Sequence, residues 1–284
     1  MDEVSSSPAR SRRRRGRSDF VSGFVPYIPA RYRCSPTQTA RLWTSPEEPS
    51  GHCGRLERWI DEAYAVVTSS LGSPMTRSIH VCCYHDNEQA RRSLDRQISS
   101  SMALAPFSSS TAGLVVVQSE SANPRNGDAR RMRRIVAHEL AHLWILEATS
   151  SQKTLGDGNR DLRVSSWLNE GIYESVGLAA IEDTAKAVAC REWFHGLREP
   201  VRFGELSEIL DGLDSDRRSW AFDVVVGCVQ ELTPSFDLRR IAGSIGTVER
   251  LLRPDAICSV DTIHRACRAL AGHLSSEGSS AEAD

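Results

Sequence analysis

Apolar residues recur at a helical period over 54–71. Leu56, Trp59, Ile60, Ala63, Val66 and Val67 share one side, and Gly72 ends the run. Residues 79–84 are few and rich in strand formers. Gly113-Leu114-Val115-Val116-Val117-Gln118, within 112–119, predicts a second strand. Between them 87–98 reads as a polar helix. After Asp128, a candidate N-cap, Met132, Val136, Leu140 and Leu143 form an apolar helical stripe. Ser166 is a second candidate cap, and the run from there to Ile181 is largely apolar. Further helices are predicted over 184–197, 204–213, 219–232, 238–245 and 260–274. Strands followed by helices predict an α+β fold, with a small mixed sheet first and a mainly helical second part.

The helix after Asp128 carries candidate chemistry. Val136-Ala137-His138-Glu139-Leu140-Ala141-His142 reads His-Glu-x-x-His. Histidines four apart on a helix lie one turn apart on one face, so both imidazoles can reach one metal ion. Glu139 flanks that face, where it can take a proton from an activated water. The apolar stripe lies roughly opposite, so one face can pack on a core while the other faces a cleft. The plain alternative is a buried helix with two hydrogen-bonded histidines. A catalytic zinc ion takes three protein ligands and keeps one open position. A third histidine in the pattern His-x-x-Gly-x-x-His is excluded, because Ile145 and Ala148 occupy the required places. A carboxylate on the next helix remains. Glu170 and Glu174 share a face there, beside Gly171, with Asp157 and Asp161 as rivals.

His-Glu-Leu-Ala-His followed by Trp167-Leu168-Asn169-Glu170-Gly171 resembles the gluzincin metallopeptidases. The likeness is to the aminopeptidase-N-like branch and the small peptidase MA-like proteins. It implies a zincin-like fold, one Zn²⁺ ion and a peptide or protein substrate. It implies that Glu170 completes the ligand set with His138 and His142, that Glu139 is the general base, and that Glu174 hydrogen-bonds a zinc histidine. It also implies that the strand before the zinc helix, at Gly113, Leu114 and Val115, is a sheet edge on which substrate lies. An ordinary interior strand fits that continuous apolar run as well.

The chain departs from the family in three ways. The polar stretch 148–164 lengthens the gap between His142 and Glu170, which loops tolerate. The Gly-x-Met-Glu-Asn motif that reads a free N-terminus does not occur, which favours an endopeptidase or unspecified peptidase. No tyrosine follows Tyr173, although the family places an oxyanion-donating tyrosine or histidine downstream. Trp220 stands near that position. His195 is the first candidate substitute, and His264 and His273 are others. A zinc-binding module with weak or no catalysis is the alternative function.

Composition narrows the picture further. The chain has 284 residues, 40% of them hydrophobic, and a formal charge of −2, so it has no overall nucleic-acid footprint. Arg10, Arg12–Arg15 and Arg17 form a basic tract in a Ser-rich leader over 1–50, expected to be disordered or extended. That tract is the one feature suited to nucleic acid. The zinc-site lobe is expected over 51–182, a helical lobe over 183–274 and a polar, disordered tail over 275–284. No secretory signal or membrane span is read, so the expected compartment is the cytoplasm, with the 8 cysteines reduced. His52-Cys53 and His80 with Cys82 are too irregular in spacing for a second metal site to be expected.

Overall fold

A computed structural model describes residues 28–72, 75–86, 104–108, 112–152, 166–212 and 214–280. Five strands form one mixed sheet: β1 (Arg33–Pro36), β2 (Arg41–Thr44), β3 (Ser78–Tyr84), β4 (Leu104–Ser108) and β5 (Ala112–Gln118). Their order across the sheet is β1-β2-β3-β5-β4. The β2, β3 and β5 strands run parallel, while β1 and β4 are antiparallel to their neighbours. Helix α1 (Ser50–Leu71) follows β2, and α2 (Ala129–Gln152) carries the two histidines. Then come α3 (Ser166–Ala179), α4 (Thr184–His195), α5 (Phe203–Asp211), α6 (Ser215–Leu232), α7 (Leu238–Gly243), α8 (Ile245–Leu251) and α9 (Val260–Ser280). The chain is therefore mixed α and β, and mostly helical.

The period of two in the strands sorts their side chains. Ile79, Val81, Cys83, Val115 and Val117 join the main core with α1 and α2. Cys82, Tyr84, Leu114 and Val116 face the other way, onto Ile28 and Tyr32. Both faces of β3 and β5 are thus covered, which is why these strands read as unbroken apolar runs. The main core continues without interruption from Leu42 to Leu270, so the sheet and the helical half share it. Helix α6 is the centre of that half, with α3, α4, α5 and α9 packed on it. Among the described residues no helix is long and apolar enough to cross a membrane.

Several expectations change here. The strand bearing Gly113, Leu114 and Val115 is not a sheet edge. These residues pair with Ile79, His80 and Val81 on one side, and Gly113 and Leu114 with Ser108 and Phe107 of β4 on the other. The outer strand is β4, a stretch of five residues too brief to announce itself by alternation. The sheet also begins at Arg33, inside the span expected to be leader. Helix α2 extends to Gln152, into the span expected to be loop, and α9 extends to Ser280, into the span expected to be a disordered tail. Helix α6 starts at Ser215 because Asp214 accepts from the backbone N–H groups of Asp216 and Arg217. The single helix expected over 238–245 is two, broken at Ser244. The polar helix expected over 87–98 lies outside the described residues, as does most of the Arg-rich leader.

Candidate metal centre

Asp128 caps α2, its Oδ1 accepting from Arg131 N at 2.9 Å. Met132, Val136 and Leu140 are fully buried, which fixes the rotation of the helix about its axis. His138 and His142 then face α3, with only 14% and 15% of their side chains exposed. Helix α3 approaches closely because residue 171 is glycine. A Cβ there would lie 2.7 Å from the carbonyl oxygen of Val225 on α6. Glu170, the preceding residue, is thereby held against the histidines.

Three donor groups converge. His138 Nε2 and His142 Nε2 are 3.2 Å apart. Glu170 Oε2 lies 3.4 Å from His138 Nε2, and Glu170 Oε1 lies 3.8 Å from His142 Nε2. Ligand atoms at about 2.05 Å from a tetrahedral zinc ion are separated by about 3.3 Å. The histidine pair matches that separation, whereas Glu170 presents a different oxygen to each imidazole, so its carboxylate would have to turn for one oxygen to lie close to both. The ligand atoms of His138, Glu139 and His142 also lie within 4.8 Å of one another, so Glu139 borders the same point.

Electrostatics separates the two glutamates. Burial pushes Glu139 up to about 7, with the His138 charge opposing and the Glu170 charge reinforcing that rise. Its Oε2 is buried without a hydrogen-bond partner. Burial would raise Glu170 too, but the hydrogen bond from His138 and the charges of His138, His142 and Arg218 hold it below the usual carboxylate range. Glu170 is thus the carboxylate held anionic beside the histidines, while Glu139 is the one whose protonated form burial favours. Burial, then the His138 charge, push His142 down to about 3, leaving a neutral imidazole with a lone pair to give. Burial opposes charge on His138 as well, but its hydrogen bond to Glu170 and the charges of Glu170 and Glu139 raise it overall.

Glu174 completes the support. Its Oε2 accepts from His138 Nδ1 at 3.1 Å, which turns Nε2 toward Glu170 and the pocket. Arg134, one turn before His138, pairs with the other oxygen of Glu174. The Tyr173 ring lies over His142, with centroids 3.6 Å apart. Burial raises its phenol. Sequence reasoning missed Tyr173 and Arg134. A spacing of three from Glu170 and of four from His138 were the available signals.

His195 is placed elsewhere. Its Nε2 donates to Glu231 Oε2 at 2.8 Å, and Glu231 also receives Arg191 Nε at 2.8 Å and His264 Nε2 at 2.6 Å. His195 and His264 are therefore held by a buried carboxylate on α6, not gathered with His138, His142 and Glu170. The His273 side chain lies outside the described residues. Gly113, Leu114 and Val115 are interior, as above; Gly113 admits Leu143 of α2, which would lie 2.5 Å from an added Cβ. His52 pairs with Glu48 at 2.7 Å, and His80 accepts from Trp43 Nε1 at 3.0 Å. Asp157 and Asp161 lie outside the described residues.

No protein-family model matches the chain, and no curated protein matches it.

Proposed function

We propose that this protein is a zinc-dependent metallopeptidase of the gluzincin type, with a zincin-like fold. The observation that carries the reading is that His138 Nε2 and His142 Nε2 stand 3.2 Å apart with the Glu170 carboxylate facing both, at 3.4 Å through Oε2 and 3.8 Å through Oε1. A zinc ion held there would polarise a peptide carbonyl and lower the pKa of a water toward neutrality.

The protein's own groups do the rest. Glu139 takes a proton from the attacking water and delivers it to the leaving amine. Glu174, itself held by Arg134, keeps the His138 ring in place. Strand β4 is the outer strand beside α2, and among the described residues no strand pairs with its outer side, where an extended peptide could add. A substrate strand there replaces the one expected at Gly113–Val115.

Zinc content and cleavage of a broad peptide library test this together. Wild type should hold one equivalent of zinc and cleave. Glu139→Gln should keep the zinc and lose about 10²–10⁴-fold in rate. Equal cleavage by that variant would contradict the role of Glu139, and protein that binds no zinc would contradict the whole reading.

A further inference from the structure

Two hollows meet on the helical half. One, of about 660 Å³, lies at the end of α4, where Trp193, Leu197 and Trp220 line it with Glu192 and Glu199. The other, of about 440 Å³, lies between α5 and the start of α6, where Ile209 lines it with Glu199 and Glu208. Glu199 and Trp220 line both, so the two hollows form one groove. No residue of the candidate metal centre lines it. Cys190 and Phe194 turn α4 into the core and leave Trp193 outside, 56% exposed, an unusual place for so large an apolar ring.

The groove is also acidic. Two arginines, Arg198 and Arg217, stand against five carboxylates along it. Glu205 and Asp214 are spent on backbone N–H groups at helix starts. Glu192, Glu199 and Glu208 are exposed, and among the described residues none of them forms an ion pair. Free carboxylates beside two indole rings fit a guanidinium group, which bonds the former through a planar fork and stacks on the latter.

The chain carries a segment of that chemistry. Six arginines, Arg10, Arg12–Arg15 and Arg17, stand within eight residues, and no acid occurs from Val4 to Ser18. The formal charge of −2 includes these six, so the rest of the chain carries −8. The segment lies 11 to 18 residues before Ile28, where the described chain begins. A chain of that length reaches about 35–60 Å when extended. A domain of this size is about 45 Å across, so the groove is within reach.

We propose that the groove between α4, α5 and α6 is the docking site of the chain's own Arg10–Arg17 segment. Its guanidinium groups stack on Trp193 and Trp220 and pair with Glu192, Glu199 and Glu208. The proposal stands apart from the metallopeptidase reading and does not depend on it.

The test is photocrosslinking in the full chain, with benzoylphenylalanine in place of Gly16. Irradiation should give adducts on residues 189–220 of the same molecule, located by mass spectrometry. Glu199→Lys together with Glu208→Lys should cut their yield about fivefold or more, and raising NaCl from about 0.05 to 0.5 M should do the same. Trp193→Ala should cut it about two- to fivefold. A second measurement uses a fluorescent peptide of residues 8–18 and leaves the groove unaltered. A full chain with Arg12→Ser, Arg13→Ser, Arg14→Ser and Arg15→Ser together should bind that peptide about tenfold more tightly than wild type, whose own segment competes at high effective concentration. Adducts outside 189–220, adducts that join two molecules, or equal peptide affinity for the two proteins would overturn the proposal.

Discussion

His138 is held from both ends. Glu174 takes the hydrogen on Nδ1, and Glu170 faces Nε2. Arg134 pairs with Glu174, and Glu174 engages Nδ1, so Nε2 is the nitrogen the ring would offer to a cation in place of its own proton. Glu174→Gln should therefore weaken zinc binding about 10–100-fold, read by competition with a chromophoric chelator. An unchanged affinity would mean that the ring is oriented by something else. The histidine pair and Glu139 were legible in the sequence because one helical turn sets their geometry. Glu170 needed a second helix, and only the Asn-Glu-Gly resemblance singled it out from Glu174. Tyr173 and Arg134 were not legible. Their roles depend on which helices lie against one another, and that is decided by distant packing.

At the scale of elements, α3 and α6 approach closely at Gly171. Gly171→Ala would place a methyl 2.7 Å from the Val225 carbonyl oxygen, which cannot move without displacing α6. The variant should lose about 1–3 kcal/mol in denaturant unfolding and also bind zinc less tightly, since Glu170 moves with the backbone. Normal stability and normal zinc affinity would show that the two helices are not tightly seated. Long amphipathic elements were readable from their periods: α1, α2, α3 and α9 all lie near their predicted spans. The four-residue strands β1 and β2 and the five-residue β4 were not, because so few residues carry no clear period. The family resemblance, not the residue pattern, made β5 an expected edge. The apolar character of β5 on both faces is the trace of its two neighbours.

On the scale of the whole molecule, Glu231 ties three helices. It sits on α6 and is bonded by Arg191 and His195 of α4 and by His264 of α9. Burial would raise its carboxyl, but hydrogen bonds from Arg191, His195 and His264 outweigh that and bring it down to about 2. A group depressed in the folded state stabilises the fold above its unfolded value, near 4.3. That contribution is lost as the pH falls through the folded value. Stability should therefore drop between roughly pH 4.5 and 2, with less of a drop in Glu231→Gln at equal starting conditions. Identical acid profiles for the two proteins would remove Glu231 as a cause. The continuous core makes such a loss global, because the helical half and the sheet share their buried residues.

The central claim is the ligand set, and a crystal structure of the zinc-loaded protein with data at the zinc absorption edge tests it most directly. One anomalous peak is predicted, with His138 Nε2 and His142 Nε2 at about 2.0–2.1 Å and a Glu170 oxygen at about 2.0–2.2 Å. A peak bound through Glu139 in place of Glu170, or no peak between these residues, would contradict the account.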